Sequence, residues 1–487
     1  MKLSIRYLTL AAALAVGLPS GHAAGELISG LADDSAPPAK EKPSVDVVEL
    51  TVHPAKPPRA ALAHRLLPSS LDKTYGNAAP MYCKAILMAR PEPEVWLKAE
   101  QWLATPPGNL PEDEVRRTVG SFDPAFEQLL IGSRRTYCDW GLPIWETDNP
   151  YLILLPELQE SRNLARIVAL RTQLAIAEGD LDKAVGSLQV GFTLARHVGE
   201  QPILVGGLVG TAIAHRMADQ VERLVQLPDA PNLYWSLTDL PNPLVDLRGA
   251  LEMESVAFSL LFPEFTVEKV QGYTPGQWDA VFDEKEIATK IALMLSLGPE
   301  EDTEKVLMLR ERFDRAYPVA KRGLAALGHP KEKLDRMPAS QVVVLYASLR
   351  FEELRDGLFK WLNLPYWQAR EGVEAADEAI RDSIQQDSVS VAALAFPGII
   401  QWWVASARLD RRVAALRSVE AIRFYAAVHG GKLPASLDDV TEVPLPVNPF
   451  TGKPFEYRLE GKTAVLEATG DGVEHSRPRQ YRVTLAE

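Results

Sequence analysis

The residues best placed to do chemistry together are His215 and Asp219, four positions apart within a helical pattern and therefore one turn apart on a shared face. Such a pair can serve as a general base with its orienting carboxylate, or supply two ligands to a metal. A structural pair is the favoured reading, because metal sites recruit further ligands and a general base needs a cleft. Glu252 and Glu254 lie two apart, so on a helix their side chains face different ways. The sequence contains no HExxH, no GxSxG, no P-loop and no dinucleotide fingerprint. No cofactor is expected, and any catalytic groups would have to be scattered among the 65 acidic residues.

The aromatic run Tyr137-Cys138-Asp139-Trp140-Gly141, continued by Pro143 and Trp145, forms an irregular turn. Trp140 and Trp145 are candidates for a ligand platform. The simpler reading makes this turn an aromatic plug over helix ends, since unpaired aromatic surface seeks burial.

The start of the chain sets the expected compartment. Lys2 and Arg6 precede a short apolar run, Leu8 to Leu18, and the small residues Gly21 and Ala23 suit cleavage, so residues 1–23 read as a signal peptide. Export to the periplasm or cell envelope follows. The net charge of −13 becomes −15 after that cleavage, which argues against nucleic acid as a partner. Cys83 and Cys138 are the only cysteines, and in an exported chain they invite one disulfide. Residues 24–76 are rich in proline and poor in aromatics, and read as a disordered linker.

What must position these residues is mainly α-helix. Leu164, Ile167, Leu170, Leu174 and Ala177 mark one apolar face, and Leu181, Ala184, Leu188, Phe192 and Ala195 a second. Glu178-Gly179-Asp180 separates them as a tight turn. In a third helix Gly206, Gly210, Ala214 and Ala218 recur every four residues, which predicts a buried helix approached closely by a neighbouring backbone. The run Ala175 to Ala184 resembles the turn of a tetratricopeptide repeat without a clean second copy, implying an irregular array of helical hairpins over 77–410. Proline breaks within 227–245 divide that array into possible halves. Ser388 to Ala407 is uncharged over 20 residues and carries Trp402 and Trp403; a buried helix is favoured over a membrane span, although membrane contact there stays open.

Residues 411–487 read as a small α+β domain: an amphipathic helix stopping at Gly430-Gly431, a turn capped by Ser436, and strands Phe455 to Glu460 and Thr463 to Ala468 joined at Gly461-Lys462. This order, with Asn448-Pro449-Phe450-Thr451-Gly452-Lys453-Pro454-Phe455 and Gly470-Asp471-Gly472, resembles the globular end of type II secretion pseudopilins. That resemblance implies calcium ligands at Asp471 and Glu474, although an acidic surface turn is favoured because few of the required oxygens are visible. Together with the signal peptide, Cys138-Asp139-Trp140-Gly141 and the Ala177-Glu178-Gly179-Asp180 turn, the chain resembles exported bacterial helical proteins of unknown function. The expectation is a non-catalytic exported scaffold that binds a protein or envelope partner. An exported hydrolase with a scattered acidic and histidine site, and a component associated with a secretion apparatus, are the alternatives.

Overall fold

The computed structural model of the protein describes residues 45–147, 153–288, 302–386, 392–468 and 478–486. The chain is mainly helical, with a small sheet near its C-terminus. It divides into two compact units, one of Leu142–Leu154 with Leu251–Trp403, the other of Ala36–Gly141, Leu155–Ala250 and Val404–Glu487.

The second of these carries the charged sites described below. Its chain runs through β1 (Asp46–Val52), β2 (Thr74–Asn77), α1 (Ala79–Met88), α2 (Pro93–Ala104), α3 (Glu112–Ser121), α4 (Asp123–Ser133), β3 (Arg135–Tyr137), α5 (Pro156–Ala177), α6 (Leu181–Gly199), α7 (Leu204–Leu224) and the short α8 (Tyr234–Thr238). The α5–α6 turn follows from its sequence. Gly179 takes φ +71°, Asp180 N donates to Ala175 O and Gly179 N to Ile176 O, and Asp180 then caps α6 by accepting from Lys183 N at 3.0 Å. The stripe on α7 is buried against the α6 backbone. A Cβ on Gly210 would lie 2.5 Å from Ala195 O and 2.5 Å from the Gly199 Cα, so only glycine permits this approach.

The tail is not a domain of its own, as 411–487 was expected to be. β4 (Glu456–Glu460) and β5 (Thr463–Ala468) pair antiparallel with Glu460 opposite Thr463, as the Gly461-Lys462 connection predicts. β6 (Arg479–Leu485) pairs antiparallel with β5, and β1 then adds parallel to β6, giving the order β1-β6-β5-β4. Residues 45–76 therefore correct the linker expectation over its described part. Val48, Leu50 and Val52 alternate with polar neighbours, and burying Leu50 and Val52 in the sheet offsets the cost of ordering this proline-flanked segment. The unit boundaries fall at 250 and 403, where 227–245 and 410 were expected.

The other unit contains α9 (Arg248–Leu261) from Leu251 onward, α10 (Val267–Gly272), α11 (Pro275–Val281), α12 (Asp302–Ala326), α13 (Lys331–Leu334), α14 (Ala339–Leu362) and α15 (Tyr366–Gln386). Phe262, Phe265, Trp278 and Phe282 form a continuous aromatic file, with successive ring centroids 5.5, 5.6 and 5.0 Å apart. The donors entering this core are satisfied: Gln341 donates to Val270 O and Tyr273 O, and Ser348 to Phe265 O, while Gln341 Oε1 has no hydrogen-bond partner among the described residues. α16 (Ala392–Val428) begins in this unit and contributes from Val404 onward to the other. Trp402 and Trp403 are buried, and no helix among the described residues is long and apolar enough to cross a membrane.

Candidate functional site

On α16 the run Arg408-Leu409-Asp410-Arg411-Arg412 places three guanidinium groups within about one and a half turns. Arg479, the first residue of β6, brings a fourth to the same cavity. α7 supplies His215, Asp219 and Glu222, and β1 supplies Asp46. Arg412 is nearly fully buried and divides its donors: Nε to Glu222 Oε1 at 2.9 Å, Nη2 to Glu222 Oε2 at 2.7 Å and Asp219 Oδ1 at 2.5 Å, and Nη1 to His215 O at 2.9 Å. Glu222 is the hub of this network. It also accepts from Arg479 Nη2 at 3.1 Å and from the Tyr481 hydroxyl at 2.8 Å. Arg479 Nη1 reaches Asp46 Oδ2 at 3.3 Å, and the Arg411 guanidinium lies 4.5 Å over the Phe450 ring.

These groups surround a cavity of about 140 Å³ lined by Asp46, His215, the four arginines, Ala468 and Tyr481. Burial and then the charges of Arg412, Arg479, Arg408 and Arg411 push the His215 imidazole down to about 3, so it is neutral at physiological pH. Burial opposes the charge on Arg412, but Glu222 and Asp219 outweigh it and hold the guanidinium protonated. Burial, then Glu222, raises the Tyr481 phenol and keeps it a donor.

The expected His215 and Asp219 pair thus shares a cluster but not a hydrogen-bonded dyad. Asp219 turns to Arg412, which contacts His215 through its backbone carbonyl. An imidazole that binds a proton this weakly is a poor general base. Among the described residues, no group of three or more histidine, cysteine, aspartate or glutamate side chains is arranged to hold a metal ion. Asp471 and Glu474 lie outside the described residues, as do 1–44.

A second arginine site lies further along α16. Arg423 and Glu420 are both completely buried. Arg423 Nε donates to His53 O at 2.9 Å, Nη2 to Ala230 O at 2.9 Å, and Nη1 to Pro231 O at 3.3 Å and to Glu420 at 2.9 Å. Glu420 also accepts from Leu233 N, while Asn232 Nδ2 bridges Ala55 O and Glu420 O. Glu420 interrupts the apolar face of this helix because it is the counter-ion of Arg423.

The aromatic turn is a third built feature. The Tyr82 hydroxyl on α1 and His197 Nδ1 on α6 share a hydrogen bond at 2.7 Å; both are buried, and burial pushes His197 down to about 3 and Tyr82 well up. Trp140 stacks on Tyr82 with centroids 5.9 Å apart, as the plug reading expects, whereas Trp145 is 72% exposed. The expected disulfide is absent: Cys83 and Cys138 are free thiols, and burial pushes both above the ordinary thiol range. Hydrogen bonds fasten the turn instead. Ala78 N donates to Tyr137 O, and Asn77 accepts from Asp139 N at 2.9 Å and donates to Asp139 O at 2.7 Å.

No known protein family, curated protein or solved structure matches this chain. Of the charged sites, the local signal on α16 was the dense Arg408 to Arg412 run in an otherwise apolar helix. Its partners Glu222 and Arg479 stand 190 and 67 positions from Arg412, beyond the reach of any spacing rule.

Proposed function

We propose that the chain is a non-catalytic exported scaffold that binds a protein or cell-envelope partner. The observation supporting this most directly is how its candidate acid and base groups are used. Arg412 takes both Asp219 and Glu222, and burial, then four surrounding guanidinium groups, leave His215 a neutral, weak base. Charge here joins α7, α16 and β6, a bracing role suited to a rigid binding platform. In this reading residues 1–23 direct export and are removed. The helical hairpins are tetratricopeptide-like in part, supported by the glycine-terminated α5–α6 turn and the close α6–α7 crossing. The C-terminal portion is pseudopilin-like, supported by the Ser436-capped turn and the β4–β5 hairpin.

Chemical crosslinking in intact cells, followed by identification of the joined chains, tests the proposal. One defined envelope partner, recovered repeatedly, is the expected result; recovery of the free monomer alone would remove its support. Turnover of a peptide, glycan or ester by the purified chain, abolished in His215→Ala, would replace the scaffold reading with a hydrolase.

A further inference from the structure

We propose that the surface built by β2, β3 and the turn leading into β2 docks onto an anionic lipid surface, with Leu71 and Tyr75 entering the headgroup layer and Lys73, Arg134 and Arg135 meeting its phosphates. The inference deepens the scaffold reading by naming its envelope partner as lipid, and rests on that reading for the compartment.

The apolar part of this surface is held out by structure. β2 and β3 pair parallel as a two-stranded sheet, with Thr74 opposite Arg135 and Asn77 opposite Tyr137. Tyr75 is 83% exposed and Tyr137 44%, and their ring centroids lie 6.0 Å apart, so an aromatic pair stays on the surface. Just before β2, the single turn Ser70–Asp72 leaves Leu71 95% exposed. That turn is fastened: Ser69 N and the Ser69 hydroxyl both donate to Asp72 Oδ2, at 3.1 and 2.6 Å. Apolar side chains exposed singly need no explanation, but three within one small fastened motif mark an interaction surface.

Charge selects the partner. Thr74 N donates to Arg134 O at 2.7 Å and Arg135 Nη1 to Tyr75 O at 3.2 Å, so both arginines stand beside β2. Among the described residues, none of Lys73, Arg134 and Arg135 forms an ion pair. The two carboxylates close by are turned to other donors: Asp72 feels the charge of Arg134 but bonds Ser69, and Asp139 accepts from Gly141 N at 2.8 Å. Tyrosine rings beside free lysine and arginine suit a bilayer interface, where the rings sit at headgroup level, an aliphatic tip reaches below them and the cations hold lipid phosphates. A protein partner would need a pocket shaped to Leu71 and to the tilted tyrosine pair. A bilayer accepts any apolar tip that reaches it.

Co-sedimentation with vesicles tests this, using the purified chain begun at Ala24 so that the apolar run near its start cannot insert by itself. Vesicles of equal parts phosphatidylglycerol and phosphatidylcholine should bind the chain about tenfold or more tightly than vesicles of phosphatidylcholine alone, and added sodium chloride should erase the difference. Lys73→Gln with Arg134→Gln should weaken binding to the anionic vesicles by about tenfold or more. Leu71→Ser with Tyr75→Ser should weaken it by about tenfold on both kinds of vesicle. These side chains stand largely in water, so circular dichroism and the urea midpoint should not change. Equal binding to both vesicles, no binding to either, or undiminished binding by either folded double variant would overturn the proposal. A dimer lost in Leu71→Ser, without vesicle binding, would overturn it in favour of a second copy of the chain. Crosslinking to a protein partner reports on the scaffold reading alone, so the two can fail separately.

Discussion

Helix α16 carries two buried arginine sites only eleven residues apart, Arg412 and Arg423, and they solve the same electrostatic problem in opposite ways. At Arg423 the chain supplies every acceptor: backbone carbonyls of His53, Ala230 and Pro231 and the carboxylate of Glu420 take all three guanidinium nitrogens. At Arg412 three further arginines crowd around a cavity, with Glu222 serving Arg412, Arg479 and Tyr481 at once. The first site is closed and needs nothing from outside. The second is a shared network in which one carboxylate, Glu222, serves three different partners. Buried arginine alone therefore does not mark a binding site, because the fold can provide every acceptor that the guanidinium needs.

The strongest way to break this comparison is at the closed site. Arg423→Met leaves Glu420 buried without its counter-ion and should cost about 3–5 kcal/mol in urea unfolding. A loss below about 1 kcal/mol would show that Arg423 is not the brace described. The next effect concerns pH and the neutral Tyr82–His197 contact. His197 protonates at about 3 in the folded chain and near its ordinary 6.5 when unfolded, so the unfolded chain binds more protons between those values. Its contribution, on the order of a few kcal/mol, is present above pH 6.5 and lost as pH falls toward 3. Replacing His197 with Gln should flatten that acid-side slope relative to the parent chain. Asp410, raised by burial to about 7, has the opposite sign: it favours the folded chain at low pH and loses that contribution as pH rises from 3.8 to 7. Comparing the two chains isolates the histidine.

Packing provides a control that touches neither arginine site. Gly210→Ala drives a methyl into the α6 backbone and should destabilise by about 1–3 kcal/mol, measured as a lower urea midpoint with unaltered slope. The smallest effect sharpens the contrast most. Arg408 is only half-buried, so Arg408→Gln should change stability by less than about 1 kcal/mol, in sharp contrast to Arg423→Met.

What could be read in advance was local. The α5–α7 hairpins, the stripe from Gly206 to Ala218 and the β4–β5 connection rest on periodicity and turn chemistry within a few residues, and the fold contains them. β1 was equally legible in principle: Val48, Leu50 and Val52 alternate with Glu49 and Thr51, but surrounding prolines suggested a linker. Its partner β6 lies more than 400 positions away, so pairing rather than local propensity orders it. The charged site was illegible for the same reason. His215 and Asp219 stood out by spacing, yet Arg412 and Arg479 decide what both can do. Cys83 and Cys138 misled because their number and the expected compartment suggested a bond whose fastening role belongs to Asn77.

The most direct test of the contrast between the two arginine sites is a pair of double-mutant cycles read by urea unfolding. Adding Glu420→Met to Arg423→Met should recover most of the stability lost, because no buried carboxylate is then left without its counter-ion, whereas adding Glu222→Met to Arg412→Met should recover little, because Glu222 also serves Arg479 and Tyr481. Equal recovery at the two sites, or none at Arg423, would contradict the account.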